Sequence, residues 1–115
     1  MNIVDIICNT LEPLNYPVAE NKYKGTAEEY FVFNILSETP FLSADDEVQE
    51  EKALVYIHFF TRKNPHIFKT KFKYLIKDAG FGVLSTEVLT DSDDYNHIIY
   101  ECEISIDVTN ERNEK

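Results

Sequence analysis

A chain of 115 residues with 21 Asp and Glu against 11 Lys and Arg has a formal charge of −10 at pH 7. That balance argues against general affinity for DNA, RNA or anionic lipid, which are held mainly by Lys and Arg on phosphates. The length suits one domain burying about two thirds of its unfolded surface, and a 43% hydrophobic content with eight Phe and seven Tyr supplies a core without staples.

The opening MNIVDIICNTLEP carries Asp5 where a secretory leader would be basic, and no run reaches the roughly 18 to 20 apolar residues of a membrane span. The expectation is therefore a protein made in the cytosol. Ile3, Ile7 and Leu11, with Ile6 beside them, recur at helical spacing, so a short amphipathic helix is predicted there, ended by Pro13. The stretch Asn15 to Thr26 reads as a loop with a short edge strand around Val18. EEYFVFNIL (Glu28 to Leu36) and ALVYIHFFTR (Ala53 to Arg62) are dense in aromatic and β-branched residues and read as strands with both faces at least partly covered. Between them, Ser37 to Lys52 is predicted as a long acidic loop containing Asp45, Asp46, Glu47, Glu50 and Glu51.

Asn64 as N-cap and Pro65 at the first helical position start a second helix. Its apolar stripe is Phe68, Phe72, Leu75, Ile76 and Ala79, and Gly80 with Phe81 has the pattern of a Schellman end. A strand from Phe81 to Leu89 and an acidic turn follow. The last strand places Ile98, Tyr100, Cys102, Ile104, Ile106 and Val108 on one face. Residues 1–108 form the expected single domain, and 109–115 an expected disordered tail. The order α-β-β-α-β-β predicts an α+β fold: an antiparallel sheet of about four strands with both helices on one face.

Enzyme signatures are lacking: the chain has no G-x-G-x-x-G, P-loop, H-E-x-x-H or G-x-S-x-G, and only three Gly. His58, His66 and His97 have no ligand-like spacing, so no metal site is expected. Cys8 and Cys102 sit among apolar neighbours and read as small buried hydrophobes. A Cys102 and His97 nucleophile pair is rejected by parity, since the two point to opposite faces of one strand. Asp93-Asp94 and Asp45-Asp46-Glu47 read as solvated loop carboxylates in preference to a general acid and base.

The basic residues are the stronger signal. Arg62, Lys63, Lys69, Lys71, Lys73 and Lys77 lie within residues 61–80, which carry +5 while the rest of the chain carries −15. Lys69, Lys73 and Lys77 recur at four-residue steps as a ridge beside the apolar stripe. One reading is a solvated helix face whose last lysines suit the helix dipole; the other is a protomer that docks its basic helix on a neighbour's acidic loop, a head-to-tail contact that closes into a ring when the rotation allows. On the second reading the subunit-interface candidates are those six basic residues with Asp45, Asp46, Glu47, Glu50 and Glu51. Tight nucleic-acid binding is not expected, because no aromatic is interleaved in the ridge.

NYPVAENKYKGTAEEYFVF, VYIHFFTR and FKYLIKDAGFGVLSTEVLTDSDDYNHIIYECEI, in that order behind an N-terminal helix, resemble the small tail terminator or tail completion (head-tail joining) proteins of long-tailed bacteriophages and prophages. The resemblance spans roughly residues 2–108 and contains no catalytic motif. It implies a non-enzymatic subunit, without cofactor, that assembles with itself, commonly as a hexameric ring, on the head-proximal end of the tail tube. Its implied partners are the tail tube protein and the head-connector protein, with no membrane. Its implied place is the host cytoplasm during assembly and then the virion tail. On this resemblance the Ser37 to Lys52 loop corresponds to a region that in such rings can be mobile and can face the tube or the channel. The alternative is an acidic binding module or DNA-mimic inhibitor of a basic host protein.

Overall fold

The structure is a computed structural model that describes residues 2–42, 48–91 and 94–107. In chain order it contains α1 (Ile3–Leu11), β1 (Val18–Glu20), β2 (Tyr30–Leu42), β3 (Val48–Thr61), α2 (His66–Asp78), β4 (Gly82–Thr90) and β5 (Asn96–Asp107), with a single 3₁₀ turn at Glu12–Leu14 after α1. The fold is mixed α+β, and its one sheet has the strand order β1-β2-β3-β5-β4.

Both helices begin and end where their local chemistry dictates. Asn2 caps α1 by accepting from the Asp5 N–H at 2.9 Å. For α2 the boundary shifts by one from the sequence expectation: backbone geometry makes Pro65 the cap residue. The Asn64 side chain still accepts from the His66 N–H at 3.0 Å, so the capping bond survives the shift. At the other end Gly80 takes φ +107. Its N–H reaches Lys77 O and the Phe81 N–H reaches Ile76 O, which is the Schellman pairing.

Strand parity builds one core. Phe31 and Phe33 of β2, Val55, Ile57 and Phe59 of β3, and Ile98, Tyr100 and Cys102 of β5 stand on the same face, register-paired as Phe31↔Phe59, Ile57↔Tyr100 and Val55↔Cys102. Ile3, Ile7 and Leu11 of α1 and Phe68, Phe72 and Ile76 of α2 join them in a single buried cluster, so both helices cover that face. Phe59 is the centre of a ring cluster, 4.7 Å from Phe31, 4.8 Å from Phe72 and 5.0 Å from Phe68 between centroids. The fully buried Tyr100 donates its hydroxyl to Lys69 O at 2.7 Å, tying β5 to α2. Replacing Tyr100 by Phe is expected to cost about 1 kcal/mol, read as a lowered denaturant midpoint with unchanged slope.

Two expectations are corrected. The sheet has five strands, not four, and is mixed, because β1 runs parallel to β2 with Val18 opposite Phe31. The edge strand expected around Val18 is there as β1, but three residues carry too little alternation to announce its direction. The second correction concerns Ser37 to Lys52, expected as a loop: β2 continues to Leu42, and β3 starts at Val48, paired as far as Leu42↔Val48. Pro40 is tolerated because β1 flanks β2 only at Phe31 to Phe33, leaving the outer edge of β2 without a ladder to break. Beyond Gly82↔Glu103 the sheet loses β4 as well, so it narrows to β2, β3 and β5 and projects as an arm. The molecule measures 52 Å along its longest axis against 26 and 23 Å across.

The β1 to β2 return folds over the sheet edge, where the Tyr23 ring stacks on Tyr30 at 4.2 Å and its hydroxyl accepts from the Ala27 N–H. A Cβ at Gly25 would collide with the Tyr23 hydroxyl oxygen and with its ring. Gly25→Ala must therefore displace the ring; the expected result is loss of the Tyr23–Tyr30 stack, read as changed near-ultraviolet dichroism with the global fold retained.

Candidate functional site

The six basic candidates separate into two groups. Arg62 lies 4.2 Å over the Tyr95 ring, and Lys63 pairs with Glu29 at 3.6 Å. Glu29 also accepts from the buried Thr61 hydroxyl at 2.8 Å, so these two cations close the strand-to-helix junction within the chain. Lys69, Lys71, Lys73 and Lys77 have no ion-pair partner among the described residues. Because Phe68, Phe72 and Ile76 turn inward, the outward face of α2 presents Ile67 and Tyr74, 64% and 57% exposed. Lys73 and Lys77 lie on one side of that pair and Lys71 on the other. The Lys77 ammonium stands 5.9 Å from the Tyr74 ring.

Of the acidic candidates, Asp45, Asp46 and Glu47 lie outside the described residues. Glu50 and Glu51 are in β3 and not in a loop: they pair in register with Asp107 and Ile106 on the narrowed arm. Asp93 also lies outside the described residues.

Sequence reasoning missed the sheet face that no helix covers. Its signal was available only through register, which sets Tyr30, Phe60, His97 and Leu89 in one row and Val32, His58, Ile99 and Glu87 in the next. A third row is Asn34, Tyr56, Glu101 and Ser85. Tyr30 stacks on Phe60 at 4.8 Å and Phe60 on His97 at 4.7 Å. Tyr56, Ser85, Glu87, Ile99 and Glu101 line a depression of about 70 Å³. Glu101 accepts from the Ser85 hydroxyl at 3.2 Å; neither it nor Glu87 has a cationic partner among the described residues. A shallower hollow of about 310 Å³ near the end of α2 is lined by Lys52, Glu103 and Gly80 among others, and its Lys52–Glu103 pair closes on itself at 2.9 Å.

His58 and His97 also meet here, with ring centroids 5.6 Å apart. Asn34 donates its amide to Asn21 and so presents its oxygen to His58 Nε2, at 2.8 Å. That assigns the His58 proton to Nε2 and leaves Nδ1 bare, buried and unpartnered. Burial first, and then the neighbouring His97, lower the His58 pKa from its ordinary 6.5. The unfolded chain takes up this proton near pH 6.5 while the folded chain does so only at lower pH. The unfolded state therefore binds more protons in that window, and stability falls as pH drops below about 6.5. His58→Gln is expected to flatten this part of the pH–stability curve measured by denaturant titration.

Both cysteines are free thiols, and burial pushes Cys102 up to about 12. Cys102 is in the core and His97 on the uncovered face, which bears out the parity argument against that pair. Among the described residues no group of three or more His, Cys, Asp or Glu could hold a metal ion, and no helix is long and apolar enough to cross a membrane. No protein-family model and no curated protein matches the chain. The fold and surfaces define an α+β domain with a basic helix face on one side and an acidic, aromatic sheet face on the other.

Proposed function

We propose that the chain is a structural assembly subunit of a phage or prophage tail, forming a ring at the head-proximal end of the tail tube that ends tube growth and helps the head join. The observation that supports this reading is the set of four α2 lysines without an anionic partner among the described residues of their own chain, on a protein of charge −10. Cations on so acidic a molecule find their complement on another acidic surface, and a second copy, itself at −10, offers one. The projecting arm suits the role, since a narrow three-stranded extension reaches past its own core toward a neighbour or a tube. The tail tube protein and the head-connector protein are the further partners, and no catalytic residue or cofactor is assigned.

Native mass spectrometry over a concentration series tests the reading. A closed species of fixed subunit number, six on the family resemblance, is expected to grow with concentration. A monomer that instead captures a basic protein in a one-to-one complex would favour the acidic binding module.

A further inference from the structure

We infer that the basic outer face of α2 docks on the uncovered sheet face of a second copy, over the depression between β3, β5 and β4. The inference rests on the self-assembly reading and replaces the acidic hairpin with a different acceptor surface.

Each face lacks what the other offers. On α2, Ile67 and Tyr74 form an exposed apolar centre flanked by Lys71 on one side and Lys73 and Lys77 on the other. On the sheet, Tyr56 and Ile99 form an apolar floor edged by Glu87 and Glu101. The lysines have no anion, and the two glutamates no cation, among the described residues of their own chain. The two groups cannot satisfy one another within one chain, because α2 packs on the core face of the sheet and these carboxylates point out of the opposite one. An apolar centre with a complementary charged rim is the composition of an energetically focused interface. The contact is heterologous, so every open assembly retains one free helix face at one end and one free sheet face at the other until a ring closes. Glu50 and Glu51 are a weaker acceptor: Glu51 stands on the same side of the sheet as the core residue Ala53.

The test uses three charge-reversed full-length chains. The first carries Lys71→Glu, Lys73→Glu and Lys77→Glu; the second Glu87→Lys and Glu101→Lys; the third Glu50→Lys and Glu51→Lys. Sedimentation velocity should show the first and second each associating at least about 100-fold more weakly than the unaltered chain. Mixed in equal amounts, these two should assemble again, because every contact in an alternating ring is then complementary. The third should assemble as the unaltered chain does. If the second assembles normally and the third does not, the proposed docking is wrong while self-assembly stands. If the unaltered chain stays monomeric at every concentration, both fall. Thermal melting checks each fold, and should a reversed chain melt early, Glu87→Gln with Glu101→Gln gives the same comparison with an expected loss of about tenfold; no loss overturns the docking.

Discussion

Replacing Lys69, Lys73 and Lys77 together by glutamate is expected to abolish self-association while leaving the monomer folded. On the proposed self-assembly, the change turns a ridge that would face an acidic neighbour into one that repels it, and like charges juxtaposed across an interface cost several kcal/mol. At about 1.4 kcal/mol per tenfold, that weakens association by roughly a thousandfold. The monomer is spared because none of the three makes an ion pair within the described chain. Lys69 contributes its backbone carbonyl, not its ammonium, to Tyr100. Surface substitutions away from such partners stay within about 0.5 kcal/mol. Size-exclusion chromatography with light scattering reads the first part and thermal melting the second. A variant that assembles like the unaltered chain would remove the ridge from the interface.

The largest effect on stability is expected from Phe72→Ala. Phe72 is 1% exposed and packs its ring against Phe31, Phe59 and Phe68 at centroid distances of 5.3, 4.8 and 5.5 Å. It is the middle residue of the buried α2 stripe, so its removal opens a hole between helix and sheet that neither the stiff β-ladder nor the rings around it can close. Truncations of buried Phe cost about 3–5 kcal/mol, against a total of about 5–15 kcal/mol for a domain of this kind. The expected reading is a melting temperature lower by roughly 15 °C. Phe72→Leu, which keeps most of the apolar contact, should recover most of that loss. A melting point unchanged by the alanine would mean that α2 does not sit on the sheet as described.

Much of the fold was legible because single elements carried their own chemistry. The Pro65 start and the Gly80–Phe81 end of α2 are local decisions, and the structure repeats them to within one residue. The alternation from Ile98 to Ile106 stated which face of β5 is buried, and that face is the core. The misses were of another kind. The edge strand expected around Val18 is present, but which way it runs depends on Val18 finding Phe31, a partner that no window around Val18 reveals. The hairpin arm was hidden because acidic residues and Pro40 read as loop, while pairing with β5 as far as Glu50↔Asp107 holds the chain extended regardless.

The candidate surface divided in the same way. Helical periodicity exposed the lysine ridge, since its residues share one element. It could not say that Arg62 and Lys63 are spent inside the chain, on Tyr95 and Glu29, more than thirty residues away in each case. The sheet face was invisible for the same reason. Tyr56, Glu87, Ile99 and Glu101 come from three strands, and only the β3-β5-β4 register makes them neighbours.

The central claim is that charges left unmatched within one chain are matched by another copy. Sedimentation velocity across a concentration series at low and at high salt tests it most directly. The account predicts an assembled species at low salt that dissociates as the screening length falls from about 10 Å toward 3 Å. A monomer at every concentration and both salt levels would contradict it.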